Sequence, residues 1–289
     1  MNTKSRKKLI HSVCFAVFSA ALLLIFTGTS DAKETSMPAK QKSLKVLFIG
    51  NSYTSVGDLP GVITQMAKAK GKDLVCTAHT PGGRSLHKHW QEGKAQKLIE
   101  KGGWDFVVLQ DQSMNPVSNP KNMLKYANMF CEKIDEIGAK KVFYLTFAYK
   151  APPKWVGEIK DPKKREYFKK LISNMQPLLN KTYLQAAKQN KALVAPAGIA
   201  WDIAYKQNPK YPLHASDNSH PADLGVYLSA MVFYSTFFDE PPTDMPARIN
   251  TDRNGKEQSV ITIDEPTRMN MEKIATKAIK TLKEIKSKP

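Results

Sequence analysis

The sequence predicts an α/β protein with a three-layer α/β/α architecture, in which a five-stranded parallel sheet carries helices on both faces. Two observations lead there. Short apolar runs rich in branched residues alternate along the chain with longer stretches whose apolar residues recur every three or four positions, the pattern of strands joined by helical crossovers. The first of these runs, Val46 to Ile49, is apolar at every position, as expected of a buried strand. With 289 residues, 42% of them hydrophobic, the chain is long enough for one large domain with a substantial core.

The elements follow in chain order. Residues 1–32 read as an export signal: a basic start (Lys4, Arg6, Lys7, Lys8), an uncharged apolar core from Cys14 to Phe26, and a small polar exit through Ser30-Asp31-Ala32. The apolar core is shorter than the roughly 20 residues a bilayer crossing needs, which favours a cleaved signal over a retained anchor. Residues 33–43 read as a polar linker, and 44–289 as the domain. Strands are expected at Lys45–Ile49, Asp73–Ala78, Phe106–Gln110, Lys141–Thr146 and Ala192–Ala195. Helices are expected at Pro60–Lys70, Leu86–Glu100, Pro120–Ile137, Lys163–Gln189, Ala197–Tyr205 and Pro221–Phe238. The remainder reads as a proline-bearing wrap with a short strand, Ser259–Ile263, and a last helix, Glu265–Ile285, whose Met271, Ile274, Ala278 and Leu282 share one core-facing side.

The formal charge is +18; removing residues 1–32 takes away four positive charges and one negative one and leaves +15. A basic exterior attracts acidic polymers or anionic surfaces. Yet the lysines are spread along amphipathic helices such as 163–170 and 273–288, and no nucleic-acid motif is present. Of the cysteines, Cys76 falls in a strand pattern and Cys131 in a helix pattern, so two separate buried thiols are expected rather than a bridge. No Cys/His spacing suggests a metal site, and no cofactor is implied.

The chemistry concentrates at two places. The first strand stops at Gly50-Asn51-Ser52 and runs into a helical pattern, which sets a serine hydroxyl at the carboxyl end of a sheet strand, where open α/β sheets bind ligands. A serine needs a base to become nucleophilic. Far along the chain, Asp217 and His220 stand three apart in the polar turn Ser216-Asp217-Asn218-Ser219-His220. A carboxylate so placed can orient the imidazole and leave its other nitrogen free for the serine proton. Three further loops follow strands and fall on the same edge. Gly82-Gly83 lets a backbone N–H approach a reacting carbonyl. Arg84 beside it is a candidate for substrate contact, whereas His87 and His89 read as surface positions. Gln110-Asp111-Gln112 is a polar cluster closing an apolar strand; Gln112 or Gln110 is a candidate oxyanion donor, Gln110 is also a candidate substrate contact, and Asp111 is an alternative loop anchor. The Ala151-Pro152-Pro153-Lys154-Trp155 loop offers Trp155 as a wall for a sugar ring.

Taken together, these segments resemble the SGNH (GDSL-like) hydrolase superfamily. Its first block, usually Gly-Asp-Ser, stands here as Gly50-Asn51-Ser52, and its last, Asp-x-x-His, as Asp217 to His220. The continuation His220-Pro221-Ala222-Asp223-Leu224-Gly225-Val226-Tyr227-Leu228 is similar to the superfamily's His-Pro-x-x-x-Gly-x-Tyr-Leu. Pro81-Gly82-Gly83-Arg84-Ser85-Leu86 resembles the second block, and Val107 to Ser113 occupies the place of the third, Gly-x-Asn-Asp, with Gln112 at the asparagine position. Gly-Asn-Ser combined with Leu-Gln-x-Gln-Ser resembles a secreted bacterial branch. The resemblance covers Leu44 to Asp239 and implies a flavodoxin-like strand order. It further implies a secreted or periplasmic serine esterase: Ser52 as nucleophile, His220 as base, Asp217 as its orienter, and Ser52 N–H, Gly83 N–H and Gln112 as the oxyanion hole. The implied substrate is a carboxylic ester, such as an acetyl ester on a carbohydrate or small molecule. The altered first and third blocks keep open a non-catalytic carbohydrate-binding or scaffold protein, and thioester or amide hydrolysis is a third reading.

Overall fold

The computed structural model describes residues 43–253 and 256–287. Apart from Ser43, the expected signal and linker lie outside the described residues. Among the described residues no helix is long and apolar enough to cross a membrane.

The chain opens with β1 (Leu44–Ile49), a short helical turn α1 (Ser52–Ser55) and α2 (Leu59–Ala69), and then enters β2 (Leu74–His79). Two helices, α3 (Leu86–Glu92) and α4 (Lys94–Glu100), lead to β3 (Phe106–Leu109). The turn α5 (Asn115–Ser118) and the long α6 (Pro120–Glu136) precede β4 (Lys140–Tyr144). Next come α7 (Lys154–Gly157), α8 (Pro162–Ser173), α9 (Met175–Gln189) and β5 (Leu193–Ala195). The chain closes with α10 (Ala197–Gln207), α11 (Asp223–Phe238), an antiparallel pair β6 (Arg248–Arg253) and β7 (Lys256–Thr262), and α12 (Glu265–Ser287).

The five strands of the main sheet are parallel in the order β2-β1-β3-β4-β5, the flavodoxin-like arrangement. β1 lies between β2 and β3, with Ile49 paired to His79 on one side and to Leu109 on the other. Val46, Leu47, Phe48 and Ile49 are at most 1% exposed. Each such aliphatic or aromatic side chain contributes about 1.5–3 kcal/mol by leaving water, so the end of β1 is firmly anchored. Strand order reverses between β1 and β3, and the crevice above that reversal is where such sheets bind ligands.

Most expected elements lie within two residues of their place. Two expected helices are each split. Leu86–Glu100 breaks at Gly93, whose φ of +72° lies in the left-handed region. Lys163–Gln189 breaks at Asn174, because Pro177 has no N–H to continue the ladder back to Ser173. The wrap holds a hairpin rather than one strand. Arg253 pairs with Lys256, and the intervening residues in the sequence, Asn254-Gly255, are a strong hairpin signal. Cys76 and Cys131 are separate free thiols, as expected, and burial pushes each up to about 12, where it is inert.

α11 brings the turn that carries Asp217 and His220 to the sheet. It is apolar all round and buried from Leu224 to Ser235, touching α2, α10 and α12. Gly225 is required in its first turn: a Cβ there would overlap the Leu213 carbonyl oxygen and the Trp201 ring. The close approach seats residues 213–222 on the domain, with Ala222 N–H bonded to Leu213 O at 2.8 Å.

Candidate active site

Ser52 begins α1 directly beyond β1, and the side chain of Asn51 caps that turn by accepting from Tyr53 N–H at 3.0 Å. Asn51 is 2% exposed and acts as a hub. Its N–H donates to Gln110 Oε1 (2.9 Å), while its Nδ2 donates to the carbonyls of Arg84 (2.9 Å) and Asp111 (3.3 Å). One amide thus ties together the loops after β1, β2 and β3. Gly50 has no room for a side chain: a Cβ would come within 2.6 Å of Gln110 Oε1 and 2.8 Å of Thr54 Oγ1.

The turn before α11 is shaped by its own aspartate. Asp217 Oδ1 accepts from the N–H groups of Ser219 and His220, both at 2.9 Å, and Ala215 N–H closes onto His220 O at 2.9 Å. Asn218 takes the left-handed conformation (φ +60°), which asparagine tolerates. The second carboxylate oxygen, Oδ2, lies 2.5 Å from His220 Nδ1. A carboxylate only accepts, so the neutral ring carries its proton on Nδ1 and presents Nε2 as an acceptor. His220 Nε2 is 2.9 Å from Ser52 Oγ, which therefore donates to it. Burial alone would raise the Asp217 carboxyl, but the imidazole and the two backbone N–H donors outweigh it and hold the group at about 2. It is ionised at any working pH.

The other sequence candidates fall as follows. Gly83 is exposed with φ +67°; among the described residues neither its N–H nor that of Ser52 has a hydrogen-bond partner. Gln112 is turned into its own loop: Oε1 accepts from Met114 N–H (2.9 Å) and Asn115 N–H (3.1 Å), and Nε2 donates to Ser113 Oγ at 3.0 Å. In this arrangement the carboxamide expected as an oxyanion donor is engaged within its own loop. The extra methylene relative to asparagine lets the carboxamide fold back and cap the following turn. Gln110, the alternative donor and candidate substrate contact, is fully buried. Its carboxamide is spent on Asn51 N–H, Thr54 Oγ1 (3.1 Å) and the Asp111 carbonyl, so it supports the first block from beneath. Arg84 pairs its guanidinium with Glu92 at 2.6 Å, both side chains partly exposed. Asp111 anchors the loop, accepting from Leu86 N–H (2.9 Å), Gln112 N–H (2.7 Å) and Asn115 Nδ2 (2.5 Å); burial pushes its carboxyl up against the pull of these donors.

Trp155 stands where its loop suggested. It is 37% exposed, and with Pro152, Pro153 and Lys154 it forms one wall of an open cleft of about 530 Å³ whose opposite wall is Ser216 to His220. Its ring is held edge-on by Phe168.

Two groups escaped the sequence reading. His89, expected at the surface, is fully buried and donates from Nε2 to Gly50 O at 2.7 Å. Its spacing of three from the buried Leu86 on α3 was the available signal, since that places both on one helix face. His87 is half-buried and stacks on Tyr126. Tyr53 and Tyr149 place their hydroxyls near the site, on Ser219 Oγ (3.0 Å) and Ser113 Oγ (2.7 Å) respectively. Among the described residues no group of three or more His, Cys, Asp or Glu side chains is arranged to hold a metal ion.

No family model matches the sequence, and no curated protein matches it. Solved structures do. A protein from Slackia heliotrinireducens, provisionally described as an SGNH hydrolase, is 23% identical, with a TM-score of 0.55 over 68% of this chain and 100% of its own. A DUF4886 family protein from Bacteroides uniformis is 17% identical, with a TM-score of 0.63 over 82% of this chain and 95% of its own. At these identities the likeness speaks for architecture: this chain shares the three-layer α/β/α fold of these two proteins.

Proposed function

We propose that the protein is an exported serine esterase that cleaves a carboxylic ester through an acyl-serine intermediate. The observation that carries this reading is the continuous line from Asp217 Oδ2 through His220 to Ser52 Oγ, with hydrogen bonds of 2.5 and 2.9 Å joining segments 168 residues apart. A serine that merely caps a turn has no reason to meet an imidazole already oriented by a carboxylate.

In the proposed reaction Ser52 Oγ attacks the ester carbonyl while its proton passes to His220 Nε2. The Asp217 carboxylate stabilises the resulting imidazolium through Nδ1–H. The carbonyl oxygen becomes an oxyanion, and the unpartnered Ser52 and Gly83 N–H groups are the donors assigned to it. Collapse breaks the bond to the leaving oxygen, which takes the proton from Nε2 and departs as an alcohol. Water, deprotonated by the same nitrogen, then attacks the acyl-serine. Its proton returns to Ser52 Oγ and the carboxylic acid is released.

The substrate proposed is an acyl group, most simply acetyl, on a carbohydrate. Trp155 supports it, since an exposed indole face beside the base suits the apolar face of a sugar ring. Export to the periplasm or medium rests on the pattern of residues 1–32. The rival reading, a binding module without turnover, is favoured by one observation: the Gln112 carboxamide is spent within its own loop. A fluorophosphonate probe separates the two. Stoichiometric labelling of wild-type protein, abolished in Ser52→Ala together with hydrolysis of p-nitrophenyl acetate, is the expected result. An unlabelled wild-type protein, or a Ser52→Ala variant that still turns over, refutes the esterase.

A further inference from the structure

We propose that Tyr53 is a positioning residue: its hydroxyl, acting through Ser219, holds the turn that bears His220 and Asp217 against the helix that bears Ser52. The proposal rests on the esterase reading, and it concerns residues that no motif marks. Tyr53 directly follows the nucleophile and Ser219 directly precedes the base, and their hydroxyl oxygens are 3.0 Å apart.

The need for such a clamp follows from how the turn is held. Most of its hydrogen bonds are internal: both Asp217 Oδ1 contacts, the Asp217–His220 contact and the Ala215 N–H to His220 O closure. They set the shape of residues 215–220 without fixing where that shape sits. Among the described residues, few hydrogen bonds tie residues 216–220 to other segments, and Tyr149 adds to the hold on Ser219. Lys150 N–H donates to Asn218 O at 3.0 Å, Ser52 bonds His220, and Tyr53 bonds Ser219. The Ser52 bond must break in every catalytic cycle. During that step the Tyr53–Ser219 contact is the side-chain link that remains between α1 and the turn.

Tyr53 is built to be rigid. It is 3% exposed, its ring stacks on Phe147 with centroids 4.9 Å apart, and Phe147 stacks on the buried Trp201 at 3.5 Å. The edge contact between the Tyr53 and His220 rings, 5.6 Å between centroids, limits the tilt of the imidazole. A second hydroxyl pair, Ser113 with Tyr149 at 2.7 Å, links the loops after β3 and β4 and interacts with the first pair. Four hydroxyls from four segments thus form one cluster beneath the reacting groups.

The test is a double-mutant cycle on Tyr53→Phe and Ser219→Ala. It is read as kcat and KM on p-nitrophenyl acetate, and as the rate at which a fluorophosphonate labels Ser52. Phenylalanine keeps the stacking on Phe147, so the fold is expected to persist, as near-ultraviolet circular dichroism would confirm. Tyr53→Phe is expected to lower kcat and the labelling rate together, by about tenfold, with KM unchanged, because a small misplacement of a catalytic group is costly. Ser219→Ala should show the same pattern, and the double variant should lose clearly less than the product of the two single losses, since the contact they share is already gone in either single. Labelling of Tyr53→Phe at the wild-type rate overturns the proposal, as does a double variant whose loss is the product of the two single losses. If Tyr53→Phe fails to fold, Ser219→Ala decides alone: a loss confined to kcat supports the clamp and wild-type kinetics overturn it. Wild-type protein that the probe does not label overturns the esterase reading and this proposal together. Normal wild-type labelling with unaffected variants overturns the proposal alone.

Discussion

Replacing Asn51 by aspartate would give the Gly-Asp-Ser usual in the SGNH superfamily that this segment resembles, yet this structure requires the change to be damaging. Asparagine and aspartate differ here in one group, Nδ2 against an oxygen. The accepting oxygen that caps Tyr53 N–H survives, but two donations are lost, to Arg84 O and Asp111 O, in a residue only 2% exposed. The Arg84 carbonyl is left without its donor, at about 1–3 kcal/mol, while the Asp111 carbonyl keeps the donation from Gln110 Nε2. In addition, a carboxylate facing two carbonyls must either stay charged out of water or take up a proton. Together these come to about 3–5 kcal/mol, a large part of the 5–15 kcal/mol by which a domain is usually stable.

The sign with pH follows from the same geometry. Burial among acceptors raises the folded-state value of the introduced carboxyl above its unfolded value of about 3.9. The variant is therefore least handicapped below that value, where both states are protonated and an O–H can satisfy one carbonyl. It loses about 1.4 kcal/mol per pH unit as pH rises between the unfolded and folded values. Urea unfolding of wild type, Asn51→Asp and Asn51→Ala at pH 4 and pH 7 measures this directly. A variant within about 1 kcal/mol of wild type at pH 7, or a deficit equal at both pH values, would refute the assignment of Asn51 as the amide joining three loops.

Two further outcomes are expected. Gln112→Ala removes three contacts made within its own loop, so it should lower stability by about 1–2 kcal/mol while kcat stays within about fivefold of wild type; a loss of about 10²–10³ in kcat would instead mark it as an oxyanion donor. The Asp217 carboxyl carbon, followed by NMR, should titrate near 2, so its contribution to stability is complete above the ordinary carboxylate value of 3.8 and is lost as pH falls from there through about 2; a midpoint near 4 would show that the contacts from His220 and Ser219 do not hold it.

Much of the fold was legible because its signals are local. Val46 to Ile49 is apolar at every position, and residues buried on both faces of a parallel sheet have no alternative. Errors gathered where one residue decides a boundary, as at Gly93 and at Asn174 before Pro177. The candidate nucleophile, base and orienting carboxylate were also readable, since Asp217 and His220 are three apart in one turn and Ser52 follows the polar stop of a strand. The supporting cast was not. Gln110 and Gln112 are the same residue type two positions apart, yet one lies beneath the first block and the other caps a loop. Nothing in their spacing separates the two roles, because each is set by partners brought from elsewhere.

By itself, then, the order of residues determined the alternation of strands and helices, the polar stops at strand ends and the local shape of the Asp217–His220 turn, all of which depend on neighbours within a few positions. Tertiary structure alone decided that this turn meets Ser52, that Asn51 joins three loops, that His89 is buried against Gly50 and that Tyr53 reaches Ser219. Those contacts span up to 168 residues. The two that join the Asp217–His220 turn to Ser52 and Tyr53 depend on how α11 packs onto the domain through Gly225, and no local propensity encodes where a helix that is apolar on every side will come to rest.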